Sequence, residues 1–350
     1  MHPDASRPKL PIEQECRAIA QRLAALLQPA APPGSSQAAG DEAPLGLRRA
    51  LAETQALLLC AEGPAYFAAQ SVRQSFFAVA QLPVLIERPE DLAPLAAGLW
   101  RLPGLMAWLA TGASDLGRNA ALALAHSYGC PTVMLGAAPQ DSPPHGARWT
   151  LAHAHTADAR GAFILAAIAC LMLVRLAARA RLSELGPAAP LEAAALARLE
   201  EALVGCPEHL TALGQHLGPH GPASEAVERL RGWLGGARQL FVLGDAQSLA
   251  AAQGWLTHSA PRPYGVRLCP LDNPALPPPW AAMGPKDVCL IFSGDKAASA
   301  LAQDTPTAWV TAAGAEAPAS PSAKLCTMTL PASADGLWPI FVYGLLLALH

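Results

Sequence analysis

Charge is scarce in this sequence: Asp, Glu, Lys and Arg together make up 15% of 350 residues. Lysine occurs only at Lys9, Lys286, Lys296 and Lys324, which restricts any mechanism that needs a lysine amine. There is no basic excess either. A formal net charge of −3 argues against nucleic acid as the main partner, because phosphate backbones demand a basic surface. The longest lipid-like run, Ala162 to Val174, stops at Arg175 after about 13 residues, whereas a membrane span needs roughly 20. The opening Met1-His2-Pro3-Asp4 lacks the basic and apolar regions of a secretion signal. No CxxC pair occurs among the eight cysteines, so neither a zinc knuckle nor a dithiol redox centre is expected. Several cysteines sit in apolar runs, as Cys60 does after Leu57-Leu58-Leu59, which suits buried free thiols in a reducing cytoplasm. These absences point to a cytoplasmic protein with no membrane or nucleic-acid partner.

What the chain has is apolar content, 52% of its residues, enough for a large core over a length that suits two domains. Ile12, Cys16, Ile19, Leu23 and Leu26 recur at helical spacing within residues 11–27. Residues 29–44, rich in Ala, Pro, Gly and Ser, read as a loop. From there a strand–loop–helix grammar repeats. Continuous apolar runs at 56–60, 83–86, 104–109, 131–135 and 149–152 read as strands, with helices at 66–80, 114–128 and 159–182. Residues 187–235 read as helical throughout, with His209, His216 and His220 expected on a solvated face. The grammar then restarts, with strands at 239–243, 266–268, 287–292, 308–311 and 325–330 and a closing apolar helix at 337–349. Buried strands that each lead into a helix predict α/β architecture, a parallel sheet covered by helices on both faces. Two halves on one plan imply an internal duplication. The expected division is a helix and loop over 1–44, a first α/β unit over 45–186, a helical linker over 187–236 and a second unit over 237–350.

Ligands of open parallel sheets sit beyond the carboxyl ends of the strands, where helix N-termini offer free N–H groups to anions. Three junctions qualify: Glu62-Gly63-Pro64-Ala65, Thr111-Gly112-Ala113-Ser114 and Ser293-Gly294-Asp295. None reads GxGxxG or GxxxxGK[ST], so neither a dinucleotide fingerprint nor a P-loop is present, and no cofactor is expected. In the second junction Thr111 and Ser114 bring hydroxyls and Gly112 permits close backbone approach; alternatively Ser114 is an ordinary helix cap. Glu62 would repel an anion if it points inward. His153-Ala154-His155 with Asp158 is a weak metal pattern that lacks a third ligand on the same face, and no metal site is expected. A GxSxG elbow is missing, which leaves Ser-His-Asp catalysis without support.

The order of these segments resembles the double SIS-domain proteins, in particular the isomerase half of glutamine–fructose-6-phosphate aminotransferase. Leu57 to Pro83 is similar to that family's first strand, Gly-Thr-Ser-Tyr loop and helix, the loop reading Gly63-Pro64-Ala65-Tyr66 here. Its Ser-Gln-Ser-Gly-Glu-Thr segment corresponds to Ala110-Thr111-Gly112-Ala113-Ser114-Asp115, and Phe241-Val242-Leu243-Gly244 opens the second unit. The resemblance implies two tandem SIS domains, each a flavodoxin-like three-layer sandwich. It also implies a sugar-phosphate or related carbohydrate ligand held by Gly63, Thr111, Gly112 and Ser114, and a homodimer. Departures from the pattern are equally informative. Ala65 and Ala110 replace hydroxyl residues, and the family's acid–base glutamate falls near Gln253-Gly254. The Gly-Glu-Leu-Lys-His-Gly-Pro segment has no counterpart, its region being filled by Pro270 to Pro279, and the lysine-bearing tail is missing. Three readings follow. The first is a sugar-phosphate-binding protein that has lost the usual proton-handling groups. The second is an isomerase or deaminase using Glu62, Asp115, Asp158 or Asp245 instead, and the third is a non-catalytic partner subunit.

Overall fold

The structure is a computed structural model that describes residues 11–27, 43–92, 104–109, 115–136, 147–152, 159–185, 190–258, 262–271, 283–292, 305–312, 325–331 and 336–349. Its frame is two five-stranded sheets in which every pairing is parallel. In the first, β1 (Ala56–Ala61) lies between β2 (Val84–Glu87) and β3 (Gly104–Leu109), followed by β4 (Thr132–Gly136) and β5 (Trp149–Ala152). In the second, β6 (Gln239–Gly244) lies between β7 (Gly265–Pro270) and β8 (Asp287–Phe292), followed by β9 (Thr307–Ala312) and β10 (Leu325–Leu330). Counted within each half, both sheets run in the order 2-1-3-4-5, the duplication that the repeating grammar predicts.

Adjacent residues of a strand point to opposite faces, so a strand buried on both sides must be apolar throughout. On β1, Leu57, Leu59 and Ala61 enter the main core, while Leu58 and Cys60 pack on the far face with Met106, Trp108 and Met134. β6 repeats this: Leu240 and Val242 face the main core, whereas Phe241 and Leu243 join Cys289, Ile291 and Trp309. The main core is therefore shared by the inner faces of the two sheets and the helices between them.

The helices are α1 (Ile12–Leu27), α2 (Leu45–Glu53), α3 (Gly63–Ser71), α4 (Arg73–Ala80), α5 (Asp115–Ser127), α6 (Ala159–Leu185), α7 (Pro190–Leu217), α8 (Ser224–Gly235), α9 (Ala246–His258) and α10 (Trp338–Ala348). One of them, α6, is long and apolar enough to cross a membrane, but it is a buried core helix. Glu200 of α7 pairs with Arg175 and Arg179 of α6, at 3.4 Å in the first case. The helix expected over 66–80 is broken: Val72, at φ −105° and ψ 9°, separates α3 from α4. Residues of α7 and α8 do more than connect the halves. Leu196, Leu199, Leu203, Cys206, Leu210 and Leu213 recur at helical spacing and are buried in the main core. That packing half-buries His209 and His216, leaving His220 exposed. Burial holds the His216 imidazole below its usual range, against an opposing hydrogen bond with the Thr329 backbone. Cys16, Cys60, Cys170, Cys206, Cys289 and Cys326 are free and buried. Burial, helped by the Glu15 charge, raises the Cys16 thiol to about 12, and burial alone raises Cys206 to about 12.

Candidate functional site

β1 and β3 are neighbours whose onward connections lead to opposite sides of the sheet, the switch point beyond whose strand ends a ligand crevice is expected in such sheets. Two residues form its β1 side. Gly63 takes φ +54°, a left-handed conformation costly for residues with a Cβ, and so lets the chain turn directly from strand into α3. Glu62 precedes it in extended conformation, and its half-buried carboxylate lies against the first turn of α5. A Cβ on Gly117 would fall 1.9 Å from Glu62 Oε1 and 3.3 Å from Pro89 Cγ, so the glycine is what admits the carboxylate. Burial, reinforced by the Glu90 charge, raises the Glu62 carboxyl above the usual carboxylate range. Behind it the Cys60 thiol is pushed up by burial, then by Glu62, Glu90 and Glu87. Arg88, following β2, stacks its guanidinium 4.7 Å from the Tyr66 ring centroid and 5.7 Å from that of Phe67.

Among the sequence-derived candidates, Glu62 and Gly63 meet at this crevice, and Asp115 opens the helix that forms its other wall. Thr111, Gly112, Ser114, Asp158 and the His153-Ala154-His155 pattern lie outside the described residues. Asp245 stands at the end of β6 on the other sheet, where its Oδ1 accepts the Ser248 N–H at 2.7 Å. This is a helix-capping bond, and it accounts for the aspartate without a ligand. Ala65, in the position of a family serine, is fully buried. No group of three His, Cys, Asp or Glu side chains placed to hold a metal occurs among the described residues.

The helices α3 and α9 carry the halves into contact. A Cβ on Gly254 would lie 2.6 Å from Phe163 Cδ2 of α6 and 3.4 Å from Phe67 Cβ of α3, so the glycine makes room for the Phe163 ring beside the α3–α9 contact. The preceding residue, Gln253, is exposed and turns away from that contact. It lines a cleft of about 590 Å³ between α3, α4 and β2 on one side and α9 on the other. Tyr66, Gln70, Arg73, Gln74 and Gln247 share this lining. Gln70 Nε2 donates to Tyr66 Oη at 3.3 Å, and Gln247 Nε2 donates across the halves to Gln74 Oε1 at 3.2 Å. Sequence reasoning singled out Gln253, and Tyr66 only within the Gly63-Pro64-Ala65-Tyr66 loop, and missed the others. The available signal was the Gln70, Arg73, Gln74 stripe, three polar residues on one face of an otherwise apolar segment.

No protein-family model matches the chain, and no curated protein matches it in sequence. Solved structures do match in fold. The C-terminal domain of glucosamine-fructose-6-phosphate aminotransferase from Francisella tularensis superposes with a TM-score of 0.68 at 12% identity, over 97% of this chain and 92% of that one. Glucosamine-6-phosphate deaminase from Thermotoga maritima gives 0.57 at 10% identity, over 96% and 93%. Tagatose-6-phosphate ketose/aldose isomerase from Escherichia coli gives 0.54 at 13% identity, over 97% and 90%. The fold is thus the one these structures share, two parallel five-stranded sheets flanked by helices, as the resemblance to the double SIS-domain proteins implied.

Proposed function

We propose that this chain is a cytoplasmic, homodimeric sugar-phosphate-binding protein on the double SIS scaffold, with ordinary isomerase turnover lost. The observation that carries the reading is the crevice between β1 and β3, with the left-handed Gly63 turn on one side and the N-terminal turn of α5 on the other. A phosphate placed at α5 would take hydrogen bonds from the Thr111-Gly112-Ala113-Ser114 loop and benefit from the positive end of the helix. Loss of turnover is supported by Gln253, since a carboxamide in the position of the family's glutamate cannot accept a proton at neutral pH.

One observation favours the enzyme reading: Glu62, its carboxyl raised above the usual carboxylate range by burial and then by Glu90, sits at the crevice and is a candidate for proton transfer. Asp245, already engaged as a cap, is the weaker substitute. The test is thermal melting against a panel of hexose phosphates at millimolar concentration. A ligand at 100 times its dissociation constant adds about 2.7 kcal/mol and a shift of several degrees. Ser114→Ala or Thr111→Val should reduce that shift, each costing about 1–3 kcal/mol of affinity. A flat panel would remove the binding reading and turn the search to a protein partner.

A further inference from the structure

A second cavity, of about 330 Å³, lies between α2, α4, α6 and α7. It shares no lining residue with the cleft between the halves. Gln81 in its lining precedes β2, so it stands at the start of the first sheet's strands, opposite the strand ends where Glu62 lies. The volume is at the small end of the range for small-molecule sites. Ala52, Val79, Ala80, Ala178 and Leu182 make the wall apolar, and no hydroxyl side chain stands among the described lining residues. A sugar would find few partners here.

Two opposite charges share the wall. Arg181 and Glu192 both line the cavity and are both half-buried, yet no ion pair joins them. Arg181 Nη1 donates to the Ala80 and Gln81 carbonyls at 3.3 and 2.6 Å, and Nη2 donates to the Thr54 carbonyl at 2.6 Å. These bonds hold the guanidinium at the C-terminal ends of α2 and α4, while its buried Nε–H has no acceptor. Buried donors are nearly always paired, so an orphan on a cavity-lining residue points to a ligand's acceptor. Glu192, in the first turn of α7, has no hydrogen-bond or ion-pair partner among the described residues. An anion alone would meet Glu192 and a cation alone would meet Arg181. A molecule with both charges and an apolar body complements the whole wall.

We propose that this cavity binds a free apolar α-amino acid, its carboxylate on Arg181, its ammonium on Glu192 and its side chain against Val79, Ala178 and Leu182. Only the free amino acid carries both charges on adjacent groups, which separates it from either terminus of a peptide.

Calorimetric titration of the full chain with L-leucine, L-methionine and L-phenylalanine tests this, each beside its N-acetyl and amide derivatives, with L-serine as the polar control. At least one of the three should bind, and serine should bind about tenfold or more weaker. Acetylation removes the ammonium and amidation the carboxylate; each should weaken binding about tenfold or more, as the loss of a charge-assisted pair does. Glu192→Gln should weaken the free amino acid about tenfold and leave the N-acetyl derivative unweakened. Ala52→Leu, which fills the cavity from α2, should abolish binding, and Ser114→Ala should leave it unchanged. Unliganded melting temperatures establish that the variants fold, and the derivative series decides the charge assignment without any variant. No binding by any of the three, derivatives that bind as tightly as the free amino acid, or binding that survives Ala52→Leu would overturn the proposal. Binding lost in Ser114→Ala would place the ligand at the crevice and overturn it as well.

Discussion

Replacing Glu62 by glutamine should strengthen phosphosugar binding. The carboxylate touches the first turn of α5, beside the position proposed for the phosphate. At roughly 6 Å and an effective dielectric of 20, two unit charges repel by about 2.8 kcal/mol. Solvent access to the half-buried Glu62 reduces this to about 1–2 kcal/mol, or about 5–30-fold in affinity at pH 7. Part of the repulsion in wild type is relieved by protonation, because burial and Glu90 already raise the carboxyl. Calorimetry in buffers of unequal ionisation enthalpy should therefore record a Glu62-dependent proton uptake on binding, beyond the sugar phosphate's own ionisation near about pH 6, which Glu62→Gln removes. The raised carboxyl also fixes a sign for stability. Folded protein holds this proton more tightly than unfolded chain, so the contribution is present below the unfolded value and lost as pH rises through the folded one. Glu62→Gln should accordingly gain in melting temperature over wild type between pH 4 and pH 7. Equal or weaker phosphosugar affinity in Glu62→Gln would refute the electrostatic reasoning and indicate a direct ligand or catalytic role.

Gly254→Ala should destabilise the protein by about 1–3 kcal/mol, the cost of overpacking outweighing about 1 kcal/mol of helix propensity. Phe163 cannot retreat easily, being stacked on Tyr343 at 4.2 Å; an unchanged denaturation midpoint would count against the close packing of Phe163 on Gly254. Gly117→Ala should displace Glu62 while leaving the fold intact, since the clash is with the end of a flexible side chain. Its phosphosugar affinity should move away from wild type, and identical affinity and pH dependence would argue that Glu62 is not at the crevice. Asp245→Ala should cost about 1 kcal/mol in urea unfolding, the usual value of a lost cap, with no effect on ligand binding. A loss of binding would return Asp245 to the list of functional residues.

The strands were legible because burial on both faces forces continuous apolar runs such as Leu57-Leu58-Leu59 and Val288-Cys289-Leu290. The break at Val72 was not legible, since no Gly or Pro marks it, and neither was the left-handed end of α4 at Gln81, φ 51°. Glu62 and Asp245 look alike in sequence, each an acid directly after a buried strand. Only three-dimensional structure separates them, one capping its own helix and the other resting on a helix from a later segment. The cleft was hidden for the same reason: Gln74 and Gln247 meet across 173 positions of chain. Gly117 and Gly254 carry no left-handed turn, so their need for glycine arises wholly from neighbours distant in sequence.

The central claim, binding without isomerase chemistry, is tested most directly by titrating fructose 6-phosphate and glucosamine 6-phosphate calorimetrically in deuterated water and then recording proton exchange at C2 of the recovered sugar. Saturable binding with no exchange is the predicted result. Absence of binding, or exchange at C2 that Glu62→Gln removes, would contradict it.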